Sequence, residues 1–410
     1  MRLSRPLAFA LQASIIVSFL AGSSVPTPLY ALYQARWGFS PIMTTVVFGI
    51  YALAVLVTLL VTGRLSDHVG RRPVILVAAA MQAVTMAIFV LADGVGHLVL
   101  ARVVQGIATG MAASAVGAGM VDIDREKGTL ANSALPPLGT ATGGILGGLF
   151  AHLLPAPTTT VYVFLGVVFV LQLVGVLLMP ETVTPQAGAL ASLRPQLGIP
   201  DRLRRPLLLV APALVGAWAL AGFHGALGPM LLRRLMGAPS LALSGSVLGV
   251  LASSGAITVL LTRRWDAVRT ITVGTGLLGG GVAATLLAIA QQSVAGFFLA
   301  TAVAGAGFGS AYQGAVRSVL PLAAAHERAG VLSVIYVIAY LAMGVPAVAA
   351  GIGCVHGGGV IVTSWIYGGA VIALALVTGA AARSAPRSSG GRGESSPSPA
   401  PSPRSTSPTS

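Results

Sequence analysis

The 410-residue sequence is short of charge. Only 8% of its residues are Asp, Glu, Lys or Arg, whereas soluble domains carry about 25%. So few charged side chains cannot cover the surface of a water-soluble globule. Hydrophobic residues make up 55% of the chain, and the mean hydropathy is +0.88. These figures exclude an ordinary soluble domain and favour a chain that crosses a membrane many times.

Cysteine and lysine are also nearly absent. The single cysteine, Cys354, excludes an intrachain disulfide and any metal site built from several cysteines. The net charge of +14 could suggest nucleic-acid binding, but the arginines lie in small groups between apolar runs and form no continuous basic face. The sequence contains no phosphate-binding loop, catalytic triad or metal-ligand cluster. We therefore expect no nucleic-acid partner, no cofactor, no metal and no enzymatic activity.

Apolar runs of about 20 residues recur along the chain, long enough to cross a bilayer. Backbone polar groups in lipid must be bonded within the chain, so the runs are predicted to be helices. The prediction is an all-α, polytopic membrane protein with twelve transmembrane helices in two six-helix bundles. The predicted helix cores are 8–30, 42–62, 73–93, 97–120, 133–154, 159–179, 207–231, 240–262, 269–290, 293–316, 330–352 and 358–382.

The predicted domains follow from where the apolar runs stop. Residues 1–180 form the first six-helix bundle, 181–206 a proline- and arginine-containing linker, and 207–383 the second bundle. Residues 384–410 are rich in Ser and Pro and are predicted to be a disordered tail. The first apolar run resembles a signal peptide at its start, but it is long and many runs follow, which favours an uncleaved first helix.

Basic residues predict the topology. If the N-terminus is cytoplasmic, twenty of the 24 basic residues fall in cytoplasmic segments, three fall in outer loops (Arg36, Arg233 and Arg234), and Arg102 lies inside a helix. Cytoplasmic loops of membrane proteins carry this excess of Arg and Lys. Both termini and the linker are therefore predicted to be cytoplasmic, in a multi-pass protein of the plasma membrane.

Residues 63–72, between the second and third predicted helices, have the pattern Gly-x-Leu-Ser-Asp-x-x-Gly-Arg-Arg. This pattern resembles the signature loop of the major facilitator superfamily of transporters. The resemblance implies a conformational latch, in which Asp67 approaches the start of helix 11 near residues 326–330 when the transporter is open to the outside. It also implies that a loop arginine pairs with an acid at the end of helix 4, Asp122 or else Asp124. The implied latch residues are Gly63, Asp67, Gly70, Arg71, Arg72 and Asp122.

Arg102 and Gln105 lie in the fourth predicted helix, in the sequence Arg-Val-Val-Gln-Gly. It resembles the helix 4 motif of drug exporters in the same superfamily. An arginine within a membrane helix is costly and is a functional candidate by default. Arg102 either faces the central cavity and tunes a proton site, or reaches to the membrane surface from its position near the helix end. Residues 26–30, in the first predicted helix, resemble the helix 1–2 region of these exporters, but Tyr30, Tyr33 and Trp37 could equally be interfacial aromatic residues.

The fifth predicted helix is rich in glycine. The spacing resembles a motif of superfamily antiporters, except that Gly144 stands where the family has proline. Generic packing of small residues between membrane helices is the other interpretation. The glycines predicted to pack this helix are Gly139, Gly143, Gly147 and Gly148.

All ten acids fall in loops, helix ends or the tail, which argues against strongly cationic substrates. His224, in the seventh predicted helix, is either a proton carrier or a neutral, hydrogen-bonded side chain. A weakly polar pocket suits drug-like compounds. The side chains predicted to line it are Gln82, Trp218, Tyr312, Gln313, Tyr336 and Tyr340.

The helix 4 and helix 5 motifs favour proton-coupled export of small amphipathic drugs or secondary metabolites by alternating access. The alternative is a proton-coupled symporter that imports a sugar, an organic acid or another small nutrient. The expected partners are a small-molecule substrate and the lipid bilayer. A monomer is expected, with a proton gradient as the energy source.

Overall fold

A computed structural model describes residues 3–195, 197–237, 241–324 and 327–384 of the chain. Regular secondary structure in these residues is helical throughout. The first half and the linker contain α1 Arg5–Ser24, α2 Pro26–Trp37, α3 Pro41–Thr62, α4 Leu65–Val69, α5 Arg71–Val90, α6 Val95–Ile123, α7 Arg125–Leu153, α8 Pro157–Leu177 and α9 Ala189–Ser192. The second half contains α10 Asp201–Ala226, α11 Gly228–Met236, α12 Leu241–Leu261, α13 Ala267–Ala290, α14 Val294–Val319, α15 Arg328–His356 and α16 Gly359–Ser384.

Twelve membrane-crossing helices were predicted, and eleven helical segments of the described chain are long and apolar enough to qualify. The first of them combines α1 and α2, which meet at Val25. The twelfth is α7, whose 29 residues reach about 43 Å. Its first turn is charged and its interior is rich in Gly and Thr, so its hydropathy is low. The all-α, polytopic fold is confirmed.

Two helices begin earlier than predicted. α7 starts at Arg125, not near 133, because Asp124 caps it by accepting a hydrogen bond from the Lys127 N–H at 3.0 Å. That hydrogen bond also holds the pKa of the Asp124 carboxyl below its usual range. α10 starts at Asp201, inside the predicted linker 181–206. Prolines within both helices do not end them, since neighbouring membrane helices compensate for the lost backbone hydrogen bonds.

The two halves form separate apolar cores, one within α1–α8 and two within α10–α16. The start of the chain lies beside the end of α8, where the Leu3 N–H donates to the Leu178 carbonyl at 2.9 Å. We call this end of the molecule the linker end; it also holds the 63–70 and 262–266 turns. The opposite end, with the 38–40 and 154–156 turns, is the far end.

The bundles meet through α3 with α15 and through α7 with α12. From the middle of the helices to the far end the packing is close: Gly351 lies against Thr45, and Gly144 against Gly245. At the linker end α7 and α12 instead border a cleft of about 550 Å³. The molecule is therefore closed at the far end and open at the linker end. The cleft is lined by Arg125, Glu126, Thr129, Leu130, Ser133, Val259, Leu260, Arg263 and Gln313.

Candidate functional site

The signature loop is organised around Arg71. Gly70 has φ +101°, a conformation that suits glycine, and Arg71 begins α5 immediately after it. The guanidinium donates to the Ser66 hydroxyl at 2.8 Å and to Asp122 at 3.1 Å, and it also pairs with Asp67. The structure thus brings Arg71 and Asp122 together. Asp124, the other candidate, caps α7 instead.

Asp67 is not at the start of helix 11, which is α15. Its ion pair in the described chain is with Arg71. The start of α15 is in contact with the linker: Gly330 lies against Gly198, and Glu327 pairs with Arg202. The resemblance places Asp67 at α15 only when the linker end is closed, and here that end is open. Of the predicted approach region 326–330, His326 lies outside the described residues.

Glu181 is a loop partner that the sequence analysis did not single out. Its two carboxylate oxygens accept the backbone N–H groups of Arg71 and Arg72 at 2.9 and 3.0 Å, so it caps the start of α5. Arg72 in turn donates to the Val176 carbonyl at the end of α8, at 3.2 Å. A Cβ on Gly70 would collide with the Glu181 carboxylate. No local pattern reveals this contact, since the partners are 109 and 110 positions apart.

Arg102 points into the first bundle and not to the membrane surface; only 1% of it is exposed. It donates to the Tyr30 hydroxyl and the Ser23 carbonyl, each at 2.7 Å, and to the Gln105 side-chain oxygen at 2.6 Å. Gln105 passes the network on by donating to the Gly22 carbonyl at 3.0 Å. Tyr30 is buried in the same network and is not an interfacial residue.

Proline explains why one of these carbonyls, that of Gly22, needs a donor. In a continuous helix the Gly22 carbonyl would accept the N–H of residue 26, but Pro26 has none. α1 stops at Ser24 and α2 begins at Pro26. Gln105 supplies the missing donor to Gly22, and Arg102 supplies one to Ser23. The helix 4 motif therefore satisfies the backbone at the break in the first transmembrane helix.

Four aromatic side chains, here called the aromatic cluster, come together beside the contact between bundles. The Trp218 ring lies 5.8 Å from Phe308 and 5.6 Å from both Tyr312 and Tyr340, between centroids. Tyr336 is near enough to interact electrostatically with Tyr312 and Tyr340. Trp218 and Tyr340 also pack on an apolar group that joins the bundles, Phe48, Ala52, Ala226, Met343 and Ala347.

The two predicted glutamines lie elsewhere. Gln313 accepts from the Thr262 hydroxyl at 2.8 Å and donates to the Val259 carbonyl at 3.2 Å, at the mouth of the linker-end cleft. Gln82 is fully buried inside the first bundle, close to Gly22. The structure thus groups the predicted Trp and Tyr side chains and separates both glutamines from them.

His224 is fully buried within the second bundle. Its Nδ1 lies 3.2 Å from the Leu220 carbonyl and its Nε2 lies 3.3 Å from the Thr301 hydroxyl. The rings of Phe223 and Phe297 flank it. His224 is therefore part of the bundle core and not part of the aromatic cluster.

The glycines of α7 face two different helices. Gly139, Gly143 and Gly147 lie against the backbone of Val17, Ala21 and Val25 in the first transmembrane helix. Gly144 and Gly148 lie against Gly245 of α12, across the contact between bundles. The position where the family has proline is thus a close backbone contact between bundles in this chain.

Three comparisons with known proteins agree with this architecture. The family model described as Major Facilitator Superfamily matches residues 13–345. Inner membrane transport protein YajR of Escherichia coli (strain K12) is 33% identical over 109 residues, which cover 26% of this chain and 24% of that relative.

Two solved structures share the fold over 92% of this chain. The nucleoside transporter NupG has a TM-score of 0.70 at 12% identity, with 99% of its chain covered. A bacterial homologue of the human lysosomal transporter Spinster, in an inward-facing and unoccupied conformation, has a TM-score of 0.75 at 14% identity, with 97% of its chain covered.

Proposed function

Because the chain belongs to the major facilitator superfamily, we propose that it exports small amphipathic compounds in exchange for protons by alternating access. The supporting observation is the position of the aromatic cluster. It lies on the second bundle beside the contact with the first, and the bundles pack closely at the far end and leave a cleft at the linker end. A half-buried aromatic surface beside such a contact is suited to an apolar ligand that is exposed to each side in turn.

The proposal assigns the linker end to the cytoplasm and the protein to the plasma membrane. The support is the concentration of arginines at this end, including those of the signature loop and the cleft. With this topology the structure is open to the cytoplasm, the side from which an exporter loads its substrate.

An accumulation assay tests direction and energy source. A host that lacks its own pumps is screened with a panel of toxic amphipathic compounds, with and without a protonophore. Expression should lower accumulation of some compounds, and the protonophore should abolish the difference. Trp218→Ala should remove the effect, whereas Trp365→Ala, whose side chain is 48% exposed, should not. Protonophore-sensitive accumulation above the control level would instead identify an importer.

His224 is either a proton carrier or a neutral packing residue, and the two roles predict different effects of a substitution on uphill and downhill transport. Both ring nitrogens face oxygen acceptors, Leu220 O and the Thr301 hydroxyl, which itself donates to Phe297 O. A protonated ring donates to both, and a neutral ring to one. If His224 carries the coupled proton, His224→Phe abolishes uphill transport and retains downhill flux. If the ring is a neutral packing residue, uphill and downhill rates change together, which paired flux measurements in proteoliposomes would show.

A further inference from the structure

Arg102 is a permanent positive charge in the interior of the first bundle, and none of the ion pairs in the described part of the chain includes it. Its acceptors are neutral: a carbonyl, an amide oxygen and a hydroxyl. These hydrogen bonds satisfy three of its five N–H groups but do not neutralise its charge. A charge held in a membrane interior is costly unless an opposite charge is nearby, so its field remains available to a ligand.

Tyr51 separates this charge from the aromatic cluster. The Arg102 guanidinium carbon lies 5.1 Å from the centre of the Tyr51 ring on α3. Tyr51 and Tyr340 are near enough to interact electrostatically. α3 and α15, which carry these two tyrosines, pack directly on each other. Tyr51 therefore lies between the Tyr340 side of the aromatic cluster and a cation that has no ion-pair partner among the described residues.

The entrance adds a second, independent observation. The cleft at the linker end is bordered by Arg125 and Arg263, with Glu126 as the one acid among its lining residues. The charged side chains of its lining therefore add up to one net positive charge, which favours anions over cations. The entrance and the buried charge therefore favour the same class of compound.

We propose that the transported compounds are organic anions. An apolar or aromatic body lies on the aromatic cluster, and a carboxylate, sulfonate or phosphate group turns towards Arg102 across Tyr51. The inference rests on the proposed transport function but not on its direction. Arg102 acts here as a specificity determinant through its field, in addition to its hydrogen bonds at the Pro26 break.

The test compares two permanently charged probes of the same shape, 4-butylbenzenesulfonate and 4-butylphenyltrimethylammonium. Calorimetry measures their binding to the full-length purified protein in nanodiscs. We expect the anion to bind about tenfold more tightly, since an ion near a unit charge in a partly buried site gains roughly this much. Equal binding of the two probes, or tighter binding of the cation, would overturn the proposal.

Two variants assign the preference to Arg102. Arg102→Lys keeps the charge and should keep the preference for the anion, whereas Arg102→Gln should remove it. A full preference in folded Arg102→Gln would overturn the assignment. If Arg102→Gln does not fold, the comparison of the two probes on the wild-type protein still decides whether the protein prefers organic anions. Because binding is measured without a gradient, intact anion preference in a protein that does not export would contradict the proposed export and leave this inference standing.

Discussion

At the scale of single residues, the break in the first transmembrane helix determines what Arg102 and Gln105 contact. Pro26 removes one backbone donor, and Gln105 replaces it from 83 positions away. Residues that look like a functional motif in the sequence are therefore also part of the backbone hydrogen bonding. A substitution at either position changes stability as well as transport.

A double-variant cycle checks this pairing. Gln105→Met leaves the buried Gly22 carbonyl without its donor and should lower stability by about 1–3 kcal/mol. Pro26→Ala restores an N–H at the position that would bond to Gly22 in a continuous helix. The double variant should therefore be less destabilised than the sum of the single variants, as measured by thermal unfolding in detergent. Strictly additive effects would contradict the proposed exchange of donors.

Asp67 and Asp122 share Arg71, but they should differ in their effects. The Asp122 side chain is 31% exposed and that of Asp67 is 49% exposed. Asp122→Asn should lower the melting temperature, because it weakens the pairing of a buried guanidinium. Asp67→Asn should lower the transport rate about tenfold with a smaller effect on melting, since a more exposed ion pair contributes less to stability. Wild-type transport by well-expressed Asp67→Asn would remove Asp67 from the latch.

At the scale of elements, the linker is attached to both bundles. Its first part follows the signature loop: Glu181 caps α5, and the Gln186 N–H donates to the His68 carbonyl at 2.7 Å. Its last part lies at the start of α15, where Arg202 donates to Glu327 at 3.0 Å and Gly198 contacts Gly330. The linker thus contacts the two segments that the family resemblance brings together when the linker end closes.

Arg202→Ala should loosen the second attachment. Hydrogen exchange of residues 197–202 should become faster, and exchange within α5 should stay unchanged. Arg204→Ala is a matched control, because Arg204 pairs at 3.0 Å with an Asp201 side chain that is 88% exposed. Equal acceleration by both substitutions, measured by mass spectrometry, would show that the Arg202–Glu327 pair does not hold the linker.

The helices could be predicted from the sequence because apolar runs of membrane length have no stable alternative in lipid. The early starts of α7 and α10 were missed because polar first turns look like loops when hydropathy is the signal. The partners of the site residues were harder to predict. The positions of Glu181 and Gln82 are determined by contacts between distant segments of the chain. A glutamine side chain can lie in a cavity, at the mouth of a cleft or inside a bundle, so the residue type alone does not predict its place.

At the scale of the whole molecule, the far end is closed by α7 and α12, whose backbones touch where glycines face each other. Gly245→Ile would place a branched side chain against the Gly144 backbone. The substitution should shift the population towards the state closed at the linker end. Gly276→Ile is the control, since a side chain there meets no neighbour within 4 Å.

Spin labels measure this shift. Cys354 is the one cysteine, so a Cys354→Ser background accepts Leu130→Cys and Leu260→Cys, two exposed positions on either side of the cleft. Electron–electron distances between the labels should shorten in Gly245→Ile and remain as in the parent in Gly276→Ile. Unchanged distances in both variants would show that the Gly144–Gly245 contact does not limit closure.

The two glycine faces of α7 have a consequence for how the protein is made. Glycine and small polar residues let α7 fit between α1 and α12, and they also make it the least apolar of the long helices in the described chain. Only Asp124 separates it from the apolar helix α6. We therefore expect α7 to enter the membrane during synthesis as the second arm of a hairpin with α6.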